Sequence, residues 1–152
     1  MPEDIPLCHI RIDKEGNWYH QGLPIINKKI YIHLNQCLSE DPSGRYILEM
    51  NGETCLLEVE DTPFVVKEVS PKTTPGKPNT FFIKLNDETE ENLNAETLRV
   101  GKEEVLYCKV KDKLYEARFL RAAYYQLAKF LQHDEKGYYL LVEGKKTYLQ
   151  QQ

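Results

Sequence analysis

An internal repeat constrains the fold of this chain more than any other feature of its sequence. The segment 119–149 repeats the segment 26–56 without a gap, at a separation of 93 residues, and nine of the 31 aligned columns are identical. The identical pairs are Tyr31/Tyr124, Leu34/Leu127, Leu38/Leu131, Asp41/Asp134, Gly44/Gly137, Tyr46/Tyr139, Leu48/Leu141, Thr54/Thr147 and Leu56/Leu149. Self-similarity over this length indicates that one structural unit has been duplicated.

Both copies have the pattern of an amphipathic helix, a polar turn that ends in glycine, and two strands joined by a second turn. In the first copy, Asn27 is a suitable N-cap for a helix over 28–39, and the turn Asn51-Gly52 predicts a strand hairpin. In the second copy, apolar residues at helical spacing predict a helix over 120–133. Its predicted apolar stripe consists of Phe119, Ala123, Leu127, Phe130 and Leu131.

These patterns predict an α+β protein with two similar halves, each an antiparallel sheet with one main helix. We place the N-terminal half at 1–70 and the C-terminal half at 104–152. The stretch 71–103 is predicted to connect them, with a proline-containing loop and one strand near 80–85. Its acidic cluster, Asp87, Glu88, Glu90 and Glu91, is predicted to be a solvated loop or a short helix. At 152 residues, the halves can bury a substantial core and pack together as one compact unit.

Composition and charge argue against several classes of protein. The net charge of −4 disfavours general nucleic-acid binding, which depends on cationic neutralisation of phosphates. No apolar run approaches the roughly 18 residues that indicate a membrane helix. The acidic N-terminus has no basic region followed by an apolar stretch, so we expect no signal peptide and a cytoplasmic location.

The four cysteines and four histidines do not have the spacing of a metal site. Cys8, Cys37, Cys55 and Cys108 are scattered without a CxxC pair, and in a reducing compartment we expect them to be buried small hydrophobic residues. Disulfides or metal ligation are the alternatives. His33 precedes Cys37 by one helical turn, but a metal site would need further ligands. We therefore expect no metal.

Three stretches of the sequence resemble bacterial proteins of the domain-of-unknown-function 1285 (DUF1285) family. They are WYHQGLPI at 18–25, VEDTPF at 59–64, and LYEARFLR at 114–121 followed by YYQL at 124–127. The resemblance covers nearly the whole chain in the same order. It implies a duplicated α+β architecture whose C-terminal part is loosely similar to pleckstrin-homology domains, and a role in ligand binding and signalling rather than an established activity.

The chain departs from the pattern of that family at several positions. Asn27 and Lys111 stand where arginines are usual, and Asn51-Gly52 replaces a different turn. These departures weaken any anion site built from the arginines of the family.

Carboxylates gather on and after one predicted strand. Alternation places Glu58 and Glu60 with Leu56 on one face, and Glu53 and Asp61 on the other. Two carboxylates can perform acid/base chemistry when their environments separate their pKa values. The alternatives are that they are solvated, with Asp61 forming an Asx-turn, or that Glu60 or Asp61 pairs with a buried arginine.

Glu116, Arg118 and Arg121 form a complementary charged set near the start of the second helix. Arg118 ends a strand, and Arg121 lies in the first helical turn, where free amides favour anions. A guanidinium there could bind the carboxylate or phosphate of a ligand. Alternatively, Arg118 or Arg121 forms an ion pair between the halves with one of the carboxylates described above.

Aromatic residues are frequent, with ten tyrosines and Trp18. Such residues are common where two surfaces meet, so they could line the seam between the halves, a binding cleft or a dimer face. The candidate ligand-binding or interdomain residues are therefore Trp18, Tyr19, Glu53, Glu60, Asp61, Glu116, Arg118 and Arg121.

The sequence favours a non-catalytic binding module over an enzyme. It contains no nucleophile elbow, metal-ligand spacing or phosphate-binding glycine loop, so we name no catalytic residue and expect no cofactor. We expect a small anionic ligand or a partner protein to bind in the cleft between the halves, in a signalling role. The alternative is a small acid/base enzyme that uses carboxylates near Asp61. The sequence leaves the oligomeric state open.

Overall fold

The computed structural model describes residues 5–151, with only the backbone described at positions 74 and 77–79. The chain divides into two compact units, 1–63 and 64–152. Both units combine one α-helix with β-sheet, so the predicted α+β class is confirmed. That the halves pack as one compact body stays a prediction, as does the likeness of the C-terminal half to pleckstrin-homology domains.

The first unit is built on a six-stranded sheet with the spatial order β3-β2-β1-β6-β5-β4. The strands are β1 (Leu7–Ile12), β2 (Trp18–His20), β3 (Leu23–Pro24), β4 (Leu38–Glu40), β5 (Tyr46–Met50) and β6 (Glu53–Val59). Strands β1 and β6 pair in parallel at the centre, and the other neighbours are antiparallel. The sheet is therefore mixed in direction.

Helix α1 (Lys28–Gln36) connects β3 to β4. The predicted cap is confirmed, because the Asn27 side-chain oxygen accepts hydrogen bonds from the backbone N–H groups of Lys29 and Ile30 at 3.0 and 3.3 Å. The helix ends at Gln36, three residues before the predicted end. The chain then enters β4, which pairs with β5 from Leu38 onwards. Leu34 is buried, whereas Ile30 is half-exposed.

The second unit contains a seven-stranded and a three-stranded sheet. The strands are β7 (Phe64–Thr74), β8 (Lys77–Leu85), β9 (Glu90–Asn92), β10 (Arg99–Val100), β11 (Leu106–Val110), β12 (Tyr115–Phe119), β13 (Leu131–Asp134), β14 (Gly137–Val142), β15 (Lys145–Tyr148) and β16 (Gln150–Gln151). The larger sheet has the order β16-β10-β11-β12-β7-β8-β9, and the smaller one is β13-β14-β15. Short 3₁₀ helices cover Ala95–Thr97 and Lys102–Glu104.

Strands β7 and β8 extend through the stretch 70–79, which the sequence predicts to be a loop. They form an antiparallel hairpin in which Pro71 lies opposite Phe81 and Lys72 opposite Thr80. The pattern of prolines suggested a break in regular structure, but a proline at a ladder position that needs no N–H donor is compatible with a strand.

Helix α2 (Arg121–Ala128) is shorter than the predicted helix over 120–133. The backbone over 131–134 forms strand β13 instead, paired with β14. Ala123 and Leu127 are buried as predicted, whereas Phe130 is partly exposed and packs its ring against that of Phe81 at 5.2 Å. Apolar spacing alone could not distinguish the last helical turn from a short strand.

The two copies of the repeat have the same order of elements, which supports the predicted duplication. Each is a helix, a short strand and a hairpin of two further strands, and Leu34 and Leu127 are buried at equivalent positions. The hairpin turns contain Gly52 and Gly144, both at positive φ, a conformation that favours glycine.

The gapless alignment of the copies is wrong in its last part. Leu38 and Leu131 are 93 residues apart, but the residues opposite them in the strand register, Leu48 and Leu140, are 92 apart. Three residues separate Asp41 from its ladder partner Arg45, whereas two separate Asp134 from Gly137, so the second copy is one residue shorter in this turn. The identical pairs after the turn are consequently not structural equivalents: Gly44/Gly137, Tyr46/Tyr139, Leu48/Leu141, Thr54/Thr147 and Leu56/Leu149.

Neither α-helix within residues 5–151 combines the length and the apolar character needed to cross a membrane.

Candidate functional site

A pocket of about 290 Å³ lies on the first unit's sheet where strands β1 and β6 pair irregularly. Leu7 is aligned with Leu56, and Arg11 is aligned with Glu58. Between these two aligned pairs, β1 advances by four residues and β6 by two. The two extra residues of β1 interrupt the ladder as a bulge does, and bulges are frequent beside functional sites because they redirect side chains.

His9 is located at this irregularity and has a backbone conformation that is uncommon for residues other than glycine. Its φ is 59°, and its carbonyl oxygen accepts a hydrogen bond from the backbone N–H of Gln21 at 2.8 Å. Gln21 itself has a φ of 50°. Both residues line the pocket. Backbone strain of this kind persists only where the surrounding structure enforces it, and it clusters at functional sites.

A cross-strand row of Tyr19, Arg11 and Glu58 forms the polar end of the pocket. The Arg11 guanidinium carbon lies 4.5 Å from the centre of the Tyr19 ring, at cation–π distance. Arg11 Nε is 3.9 Å from Glu58 Oε2, and Arg11 Nη1 is 3.8 Å from Glu60 Oε1. These distances exceed hydrogen-bond length, so the carboxylates attract the guanidinium without forming a compact bidentate pair with it.

Of the two predicted aromatic residues, the structure places Tyr19 in the pocket. The Tyr19 hydroxyl donates a hydrogen bond to Asp13 Oδ2 at 3.0 Å, and this bond raises the pKa of the tyrosine. The adjacent Trp18 is buried in strand β2. The alternation of the strand therefore gives these neighbours different environments.

Glu60 does not line the pocket but lies next to Arg11, which does. Besides its contact with Arg11, its Oε1 accepts a hydrogen bond from the backbone N–H of Lys14 at 3.1 Å. Glu53 and Asp61 are exposed residues at the start of β6 and just after its end. Arg11 is therefore an ion-pair neighbour of Glu60, but its side chain is 40% exposed, so it is not the buried arginine that the sequence expectation named.

Glu116 is paired with an arginine that the sequence analysis missed. Arg99 Nε and Nη2 donate to the two oxygens of the Glu116 carboxylate at 3.0 and 2.7 Å. The same guanidinium lies 4.3 Å from the centre of the Tyr107 ring. Strands β10 and β12 are both hydrogen-bonded to β11, which brings the two charges together.

Arg118 and Arg121 belong to different elements of the second unit. Arg118 lies in β12, in register with Tyr107 and Val65. Arg121 is the exposed first residue of α2. An ion pair from either arginine to a carboxylate of the first unit stays a prediction, as does a cleft between the halves.

The expectation that all four cysteines are unpaired is wrong. Cys8 and Cys55 form a disulfide that links β1 to β6, with their Cα atoms 5.0 Å apart. Parallel pairing of β1 beside β6 brings the two residues together, and sequence spacing cannot reveal such pairing. Cys108 is buried as expected, and burial raises the pKa of its thiol. Cys37 Sγ is 3.8 Å from His33 Nε2.

The acidic stretch after β8 is not a solvated loop. Asp87 is buried, and its carboxylate accepts a hydrogen bond from Lys111 Nζ at 2.8 Å. Burial raises the pKa of Glu91, whose carboxylate accepts from the backbone N–H of Lys111. Glu88 pairs with Lys67 and Lys84 at 3.2 Å. These carboxylates are bound to ammonium or backbone N–H groups of the same unit and therefore have a structural role.

No group of three or more histidine, cysteine, aspartate or glutamate side chains within residues 5–151 is arranged to hold a metal ion. A second pocket, of about 530 Å³, lies in the second unit between the segments 92–96 and 142–147. The pocket on β1 and β6 is the better candidate because a guanidinium, carboxylates, an imidazole and a phenol meet there beside apolar side chains.

Two solved structures have the fold of this chain. One is the crystal structure of a DUF1285 family protein from Silicibacter pomeroyi DSS-3, with a TM-score of 0.79 and 19% sequence identity over 98% of this chain and 82% of that chain. The other is a DUF1285 family protein from Shewanella baltica OS155, with a TM-score of 0.65 and 18% identity over 84% of this chain and 94% of that chain.

Comparison at the level of sequence found no match to a family model or to a curated protein. The chain has the fold of DUF1285 family proteins, as the resemblance of its sequence implies.

Proposed function

We propose that this protein is a non-catalytic binding module of the DUF1285 family that recognises a small ligand through an anionic group. The observation that carries the proposal is the row of Tyr19, Arg11 and Glu58 beside the irregular pairing of β1 and β6. We further propose that the module acts in the cytoplasm and that ligand binding has a signalling role.

Arg11 is suited to bind the anionic group. A guanidinium presents several N–H donors in a planar fork that matches the two oxygens of a carboxylate or phosphate. The ring of Tyr19 supports one face of the Arg11 side chain, which reduces the freedom that binding would otherwise remove. The distances of 3.8 and 3.9 Å to Glu60 and Glu58 allow a ligand oxygen to compete for these donors.

Thermal shift measurements test this proposal. The full chain would be screened against small carboxylates, phosphate monoesters, nucleotides and amino acids, because a ligand that binds the folded state raises the melting temperature. We expect a ligand-induced shift in the wild type that is lost in Arg11→Gln. Arg45→Gln is the matched control, since Arg45 belongs to the same unit but pairs with Asp41 at 2.8 Å, outside the pocket.

Two outcomes would contradict the proposal. An equal shift in Arg11→Gln would mean that the ligand is held elsewhere. Turnover of a screened compound that is abolished by Asp61→Asn, with the fold intact, would instead support the alternative of an acid/base enzyme.

A further inference from the structure

We propose that the ligand of the β1–β6 pocket is a zwitterion of the size of a free aliphatic α-amino acid. Its carboxylate would bind Arg11 and its ammonium group Glu58. This inference rests on the proposed function and adds the chemical class of the ligand.

The balance of charge at the polar end of the pocket favours a zwitterion over a simple anion. Arg11 contributes one positive charge, and Glu58 and Glu60 contribute two negative charges within 4 Å of it. A ligand with only a carboxylate would bring a third negative charge to this place, and like charges at short distance repel one another. An ammonium group next to the ligand carboxylate removes that repulsion.

The positions of the charged groups match a ligand whose two charges are close together. Arg11 and Glu58 are aligned on neighbouring strands, and their nearest charged atoms are 3.9 Å apart. The amino and carboxylate groups of an α-amino acid are attached to the same carbon atom. Such a ligand can therefore contact both side chains at once, whereas a ligand with widely separated charges cannot.

The opposite end of the pocket is apolar. Leu7 and Leu56 are aligned there, and both line the pocket together with Ile10. Leu56 and Glu58 are two residues apart on β6, which corresponds to about 7 Å along a strand. An aliphatic side chain extending from the charged groups would reach Leu56. The side chain of Leu7 is largely exposed, and an aliphatic ligand would cover part of it.

The volume of the pocket limits the size of the ligand. At about 290 Å³ it lies just below the range of roughly 300–1,000 Å³ that is common for small-molecule sites. A single amino acid is therefore a better match than a nucleotide. His9 also lines the pocket, and its imidazole ring can form one further hydrogen bond with the ligand.

Isothermal titration calorimetry with three probes tests the inference. The probes are L-leucine, N-acetyl-L-leucine, which has no ammonium group, and L-leucinamide, which has no carboxylate. We expect L-leucine to bind the wild type about tenfold or more tightly than either analogue, because each analogue leaves one charged side chain without its partner. Glu58→Gln should abolish the preference for L-leucine over N-acetyl-L-leucine but keep the preference over L-leucinamide.

The Glu58 side chain is exposed, so Glu58→Gln should keep the wild-type fold, and circular dichroism checks this. Glu40→Gln, an exposed change in β4 outside the pocket, should behave as the wild type. Equal affinity of the wild type for L-leucine and N-acetyl-L-leucine would overturn the zwitterion inference while leaving the proposed anion site intact. Absence of binding by all three probes would also overturn it, and the wider screen of anions would then decide separately on the proposed function.

Discussion

Asp41 and Asp134 occupy equivalent positions in the two copies of the repeat, and each carboxylate closes the turn that follows the first short strand of its copy. Oδ1 of Asp41 accepts a hydrogen bond from the backbone N–H of Arg45 at 2.8 Å, and Oδ1 of Asp134 accepts one from the N–H of Lys136 at 2.8 Å. Each carboxylate also pairs with a cation, Arg45 for Asp41 and Lys146 for Asp134. The two copies therefore share both the aspartate and its role, which is to accept a turn N–H and to pair with a cation.

The pH dependence of stability should report the bond network of Asp134. The hydroxyl of Tyr148 donates to its carboxylate at 2.6 Å, and this bond, with those from Lys136 and Lys146, lowers the pKa of Asp134 to about 2. The pKa in the unfolded chain is near 3.8. A lowered folded-state pKa gives stability that is fully present above the unfolded-state pKa and is lost as the pH falls towards the folded-state value.

We therefore expect the melting temperature of the wild type to fall more steeply between about pH 4 and pH 2 than that of Asp134→Asn. Thermal unfolding followed by circular dichroism at several pH values measures the difference. Glu135→Gln, a change at the exposed neighbouring position, serves as the control. Identical slopes for the wild type and Asp134→Asn would show that the network does not contribute to acid stability.

The Cys8–Cys55 disulfide should make a large contribution to the stability of the first unit. It joins residues separated by 47 positions, and in the chain-entropy description a closed loop of this length corresponds to about 4 kcal/mol at 25 °C. Dithiothreitol should lower the melting temperature of the wild type, and the double variant Cys8→Ser/Cys55→Ser should melt at a lower temperature and be insensitive to the reductant. In a reducing cytoplasm the two residues would be thiols, so the same experiment estimates the stability in that compartment.

Cys37→Ser is the control for this comparison, because Cys37 is not in the disulfide. This variant should keep the full response to dithiothreitol. A wild type whose melting temperature is unchanged by the reductant, with complete reduction verified by mass spectrometry, would contradict the predicted contribution.

The equivalent core leucines of the two copies should both be sensitive to truncation. Leu127 is completely buried and Leu34 is nearly so. Leu→Ala changes in a packed core cost about 2–5 kcal/mol through lost burial and the cavity that remains. We expect Leu34→Ala and Leu127→Ala each to lower the free energy of unfolding within this range, as measured by urea denaturation. Leu114→Ala, at a mostly exposed position, should change it by less than about 0.5 kcal/mol.

Local signals in the sequence predicted the elements that depend on local physics. The cap at Asn27, the hairpin at Asn51-Gly52 and the buried positions of Leu34 and Leu127 follow from short-range hydrogen bonding and periodicity. The predicted placement of Glu58 and Glu60 on the same side also holds, since both lie near Arg11, although Glu60 follows the end of β6.

Pairing between distant strands could not be predicted in the same way. The parallel alignment of β1 with β6 forms the disulfide and the pocket, and no local pattern encodes it. Arg11 is consequently absent from the predicted site, because a lone arginine in an N-terminal strand gives no local sign of its partners on β2 and β6. The pairing of Glu116 with Arg99 likewise depends on the neighbouring strands β10, β11 and β12.

Nuclear magnetic resonance provides the most direct test of the central claim, that the pocket on β1 and β6 binds a small ligand through Arg11. L-leucine would be titrated into the ¹⁵N-labelled chain while the backbone amide signals and the Arg11 Nε–H signal are followed. We predict saturable chemical-shift changes at Arg11 and in the segments 7–10, 19–22 and 56–58, and none of these changes in Arg11→Gln. Saturable shifts confined to the second pocket, at 92–96 and 142–147, or no shifts with any anion of the wider screen, would contradict it.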